Sequence, residues 1–147
     1  MAVTALASAA PAGTVLAFDF GTQRIGVAVG ETSLGVAHPL TTLPNRGEQH
    51  FDSIAALIAE WRPVLLLVGL PTHADGTPHL MTARARRFAA ALRRRFTLPV
   101  ALGDERFTTR EASSRSRGAK AKVRKAMRDS LAAQVLLQAY LDEYHAA

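Results

Sequence analysis

Cysteine is absent from all 147 residues, which excludes a disulfide framework, a zinc ribbon, an iron–sulfur cluster and a cysteine nucleophile. Long apolar runs are missing too. No stretch of 18 apolar residues escapes a charge or a Pro or Gly break, so no membrane-spanning helix is expected. There is no Gly-x-x-x-x-Gly-Lys-Ser/Thr loop, and hence no P-loop. His38, His50, His73, His79 and His145 show no metal-ligand spacing, and no serine sits on a nucleophile elbow. Residues 1–14 are Ala-rich but lack a positive n-region and a strong apolar h-region. They are read as a disordered N-terminal extension on a cytoplasmic protein.

What is present is ordinary globular composition, 48% hydrophobic and 20% charged, enough to bury one core. The net charge of +6 is unevenly spread. Residues 106–128 hold nine of the 18 Lys and Arg and a single acid, Glu111, for a local charge of +8. A solvated loop would explain such a run. It is equally the footprint of a polyanion partner, above all nucleic acid.

Val15–Phe20 reads as an apolar strand interrupted by Asp19, and Ile25–Val29 as its hairpin partner across Gly21-Thr22-Gln23-Arg24. A third strand is expected near Leu40–Leu43. Helical spacing runs from Glu48 to Trp61, with Pro63 as its stop. Val64–Val68 lacks polar alternation, the pattern of a strand covered on both faces. After a loop over Thr72–Pro78 come a basic amphipathic helix, His79–Phe96, and a strand, Pro99–Gly103. A short helix is expected from Thr108 or Thr109, a mobile stretch over Ser113–Lys122, and a last helix from Val123 or Asp129 to Tyr144. This order predicts one α/β domain over residues 15–147: a mixed sheet, an antiparallel hairpin plus parallel strands, with helices on both faces.

Three carboxylates stand out. Asp19 shares a strand face with Val15 and Ala17, where an unpaired charge costs on the order of several kcal/mol; an Asx-turn to Gly21 or Thr22 is the structural alternative. Glu105 follows the last strand beside Asp104, and a strand end or a helix cap would also account for it. Asp129 begins the helical stripe Asp129, Ala133, Leu136, Tyr140, although an acid at a helix start is favoured by the dipole alone. Together they form an oxygen-only donor set suited to a hard cation, Mg2+ or Mn2+, and to phosphodiester hydrolysis. Arg24 is expected to contact substrate phosphate or orient Asp19, with a solvated turn residue as the alternative. Arg106, Arg110, Arg115, Arg117, Lys120, Lys122 and Arg124 are the expected phosphate-binding residues.

Leu16-Ala17-Phe18-Asp19-Phe20-Gly21 with Arg24-Ile25-Gly26-Val27-Ala28 resembles the opening of the YqgF/RuvX family. Val68-Gly69-Leu70-Pro71 with Asp75-Gly76-Thr77 is similar to its second motif, Asp104-Glu105-Arg106-Phe107-Thr108-Thr109 to its third, and Asp129-Ser130-Leu131-Ala132-Ala133 to its last. The resemblance spans residues 16–142. It implies a ribonuclease H-like fold and a nuclease maturing the 5′ end of pre-16S rRNA, with catalytic acids at Asp19, Glu105 and Asp129. Gly30-Glu31 stands where many members have Ser-Asp: either Glu31 replaces that acid or the position plays no part in the chemistry. The alternatives are a DNA Holliday-junction resolvase and a non-catalytic nucleic-acid or ribosome-assembly binding protein. The expected partners are nucleic acid, RNA ahead of DNA, and pre-ribosomal particles. No membrane is expected, and the chain is read as a monomer or weak homodimer.

Overall fold

The computed structural model describes residues 11–71, 80–104 and 121–146. In chain order the elements are β1 (Thr14–Phe20), β2 (Arg24–Glu31), β3 (Val36–Pro44), α1 (Glu48–Trp61), β4 (Leu65–Leu70), α2 (Leu80–Phe96), β5 (Val100–Asp104) and α3 (Ala121–Ala146). The five strands form one sheet in the order β3-β2-β1-β4-β5. β1 pairs antiparallel with β2, and β2 with β3. β4 lies parallel to both β1 and β5. This is the mixed sheet expected for a ribonuclease H-like fold, with β1 at its centre.

β1 and β4 are central and carry apolar residues on both faces, so each contributes to two cores. On one face Val15, Ala17, Leu65, Leu67 and Ala101 meet Ala133, Leu136, Leu137, Tyr140 and Leu141 of α3. On the other, Leu16, Phe18, Leu66, Val68 and Val100 meet Phe51 and Ile54 of α1 and Ala85, Phe88 and Leu92 of α2. Among the described residues no helix is long and apolar enough to cross a membrane.

Among the described residues most local expectations hold to within a few residues, and α1 matches at both ends; the loop over Thr72–Pro78 and the short helix expected from Thr108 or Thr109 lie outside them. Arg62 ends α1 in the left-handed region at φ 48°, its N–H donating to the Ile58 carbonyl at 2.8 Å. Pro63 then cannot extend the helix. Three boundaries need correction. β3 is longer than Leu40–Leu43 because it is an edge strand, where Pro39 and Pro44 are tolerated. Its register shifts opposite Val27 and Ala28, leaving Leu40 as the extra residue of a bulge. Thr14, expected at the end of the extension, is the first residue of β1. Ala121 and Lys122, expected as the end of a mobile stretch, already lie in α3. Ala, Lys, Met and Arg are strong helix formers, and over 121–128 that preference outweighs the repulsion of like charges.

α3 settles unusually close to β2. A Cβ built on Gly26 would lie 1.9 Å from the Asp129 carbonyl oxygen and 2.2 Å from its carbon, so no residue with a side chain fits there. The helix is also tied to the edge strand. Gln138 accepts from the Ala37 N–H at 2.9 Å, and Gln134 donates to the Ala37 carbonyl at 3.0 Å. Gly26→Ala must push the helix off the sheet, and overpacking of this kind costs about 1–3 kcal/mol. Urea unfolding should show that loss, whereas Gln134→Ala, whose side chain lies at the periphery, should cost about 1 kcal/mol.

Candidate active site

The β1–β2 turn is short and braced. The Gly21 N–H donates to the Arg24 carbonyl at 2.9 Å, leaving Thr22 and Gln23 as its tip. Asn45, just beyond β3, donates from its side chain to the Gly21 carbonyl at 2.7 Å and from its backbone to the Gln23 carbonyl at 2.9 Å. Asp19 precedes this turn by one strand residue, opposite Gly26 on β2. Since the Asp129 backbone rests on Gly26, Asp19 and Asp129 come to the same edge of the sheet, both on the α3 face. Both are only partly buried.

The acid in α3 is held from across the turn. Arg24 Nε donates to Asp129 Oδ2 at 2.6 Å, with the two side chains 33% and 24% exposed. Arg24, expected to contact substrate phosphate or to orient Asp19, pairs with Asp129. Asp129 also lies more than two turns in from Ala121. The helix dipole acts within the first turn and so gives no account of a carboxylate at this position.

The parallel strands end at the same edge. Phe18 is in register with Val68, and Leu70 with Asp104, so β1, β4 and β5 finish side by side. Ligands of open α/β sheets bind at this carboxyl edge of the parallel strands. Glu105 follows β5 directly but lies outside the described residues, as do Arg106, Arg110, Arg115, Arg117 and Lys120. Lys122 and Arg124 lie in the first turns of α3, their side chains outside what the structure describes. Among the described residues no group of three His, Cys, Asp or Glu is placed to hold a metal ion.

Glu31 does not replace an acid of this site. It lies at the far end of β2, paired with Thr14, while Asp19 sits near the turn. Its carboxylate accepts from the Ser33 hydroxyl and from the Ser33 N–H, and these bonds hold its carboxyl below the usual carboxylate range.

Comparison with known proteins decides the family. The RuvX family, described as Holliday junction resolvase, matches residues 13–143. The chain belongs to the RuvX family. Members are nucleases acting on phosphodiester bonds. A protein of Dechloromonas aromatica (strain RCB) is 54% identical over 136 residues, covering 90% of this chain and 93% of that one. One from Nitrosospira multiformis is 53% identical over 143 residues, covering 95% of each. Both carry the name "Putative pre-16S rRNA nuclease". Among solved structures, Thermus thermophilus RuvC aligns with a TM-score of 0.49 at 14% identity, covering 84% of this chain and 92% of that one.

Two features of this RuvX site escape a reading of residue types. Gly26 is one, although an isolated Gly inside an apolar strand signals close backbone approach. The other is the Arg24–Asp129 pair, whose partners lie far apart in sequence. Arg24→Ala should lower stability by less than about 1 kcal/mol, because the pair is partly solvated. Its nuclease rate should fall about tenfold or more through loss of Asp129 placement. Arg24→Lys keeps the charge but not the planar guanidinium and should restore stability better than rate. Urea unfolding and single-turnover cleavage separate the two effects.

Proposed function

We propose that this chain is a metal-dependent endonuclease of structured nucleic acid, acting in the cytoplasm on the 5′ end of pre-16S rRNA. The observation that carries this reading is the convergence of Asp19 and Asp129 at one strand edge, enforced by Gly26 and fixed by Arg24. The names of the relatives support the substrate.

The described residues fit a divalent cation. The two carboxylates there are hard oxygen donors, partly open to solvent, and such donors suit Mg2+ or Mn2+ rather than zinc. Glu105, one residue beyond β5, is the proposed third ligand. An ion held by these acids would supply a polarised water and positive charge at the leaving oxygen. Arg24 holds Asp129 through Nε, and its other N–H donors are assigned to a substrate phosphate oxygen. Arg106, Arg110, Arg115, Arg117, Lys120, Lys122 and Arg124 are the proposed contacts to the phosphates on either side of the cut.

Asp19→Asn, Glu105→Gln and Asp129→Asn should each lower cleavage of a 5′ precursor of 16S rRNA by about 100-fold or more, while thermal unfolding stays close to wild type. Each variant should still bind the precursor, because a negative charge near phosphate has been removed. Cleavage by Asp19→Asn at the wild-type rate in Mg2+ or Mn2+ would overturn the metal-site reading. A four-way DNA junction assayed in parallel tells a resolvase from an RNA-processing enzyme.

The basic segment has its own signature. Phosphate contacts act largely through counterion release. Replacing Arg115, Arg117, Lys120 and Lys122 together by Ala should make the log–log salt dependence of single-strand binding shallower by up to about 3. Anisotropy across a salt series measures it, and identical slopes would return the segment to a solvated loop.

A further inference from the structure

Asp19 and Phe20 are neighbours in β1 and so point to opposite faces of the sheet. Asp19 faces α3. Phe20 faces α1 and α2, where it helps line a cavity of about 290 Å³ at the same edge. We infer that this cavity binds one unpaired base of the nucleic-acid strand whose phosphate meets Asp19 and Asp129, with Arg84 and Arg87 taking the adjacent phosphates. The inference rests on the nuclease reading above and adds a specificity site on the opposite face of the sheet.

The cavity is built of rings. Phe20 and Phe88 lie 4.7 Å apart between centroids, His50 and Phe51 4.3 Å, and Phe51 and Phe88 6.1 Å. Phe51 and Phe88 are buried and form the floor, so the half-buried Phe20 is the ring on which a base can stack through its π-face. The volume sits just below the roughly 300 Å³ where small-molecule pockets begin, enough for one planar group. The exposed residues Arg84 and Arg87 of α2 stand at the rim. Glu48 is also at the rim, but its carboxylate is engaged by Arg95, whose guanidinium carbon lies 4.1 Å over the Phe51 ring.

A second observation points to a ligand. His50 lines the cavity at 6% exposure, and both of its ring nitrogens lack a hydrogen-bond partner. Buried polar atoms are rarely left so. Burial holds His50 below the ordinary histidine range, against a smaller opposing effect of Glu48, so near neutral pH the ring offers one donor and one acceptor. The nitrogens are themselves buried in the free protein, and the polar edge of a base that enters the cavity is the partner such a ring lacks. Asn45 lines the cavity and is bonded to the β1–β2 turn that follows Asp19.

The test uses short single-stranded RNAs carrying 2-aminopurine at successive positions, bound to full-length Asp19→Asn protein so that the strand stays intact. Stacking in the cavity should quench fluorescence at one position only. Added Phe20→Leu should abolish that quench and weaken binding about fivefold or more, with thermal unfolding confirming the fold. Arg84→Ala with Arg87→Ala, both exposed, should make the salt slope shallower by about 1.4. Quenching that survives Phe20→Leu, or that is absent at every position while the wild type binds and cleaves RNA, would overturn the pocket and leave the nuclease reading standing. Equal affinity for free 2-aminopurine ribonucleotide would show a free-nucleotide site and overturn the strand-bound base. Failure of the wild type to bind or cleave any RNA would overturn both.

Discussion

The contact between the bare Cα of Gly26 and the backbone of Asp129 sets the geometry of everything around it. α3 can lie this close to β2 only where no side chain intervenes. Once there, Ala133, Leu136 and Tyr140 fill the space over β1 and β4, and Gln134 and Gln138 reach the backbone of β3. The same contact carries Asp129 to the strand pair that holds Asp19. Packing and placement of the acids are thus one constraint. A looser helix would lose buried apolar area and the spacing of the two carboxylates together.

Strand alternation divides labour at this edge. Asp19 faces α3 with Val15 and Ala17, while Phe20 faces α1 and α2 with Leu16 and Phe18. A carboxylate pair therefore sits on one side of the sheet and an aromatic cavity on the other, separated by the thickness of a single strand end. The β1–β2 turn joins them, and Asn45 braces that turn against the entrance to α1. On the proposed reading, a strand of nucleic acid crossing the edge would meet the carboxylates on one face and the rings on the other.

Positive charge is likewise divided. The run over 106–128 is prominent in the sequence, yet α2 contributes Arg84, Arg86, Arg87, Arg93, Arg94 and Arg95 from a helix whose inner stripe is apolar. Arg95 is committed to Glu48 and the Phe51 ring, whereas Arg84 and Arg87 stand at the cavity rim. α2 thus adds basic residues beside an edge that carries acids, an arrangement suited to holding a polyanion across a cluster of negative charge.

The α/β architecture, the limits of α1 and the candidacy of Asp19 and Asp129 were legible in the residues alone. Each is a local matter: period 2 or 3.6 in the apolar pattern, a proline stop, a carboxylate where burial disfavours charge. The start of α3 is hidden in the sequence because a basic, Ser- and Gly-containing run obscures the helix preference of Ala121 and Lys122. The length of β3 was missed because Pro39 breaks a strand pattern unless the strand is an edge, and only the sheet order reveals an edge. Arg24 holding Asp129, Glu31 being turned toward Ser33 at the wrong end of β2, and the ring-lined cavity at Phe20 and His50 all depend on residues distant in sequence. Spacing along the chain is silent on such pairs. They are decided by how closely α3 packs on β2 and by which face of β1 each helix covers.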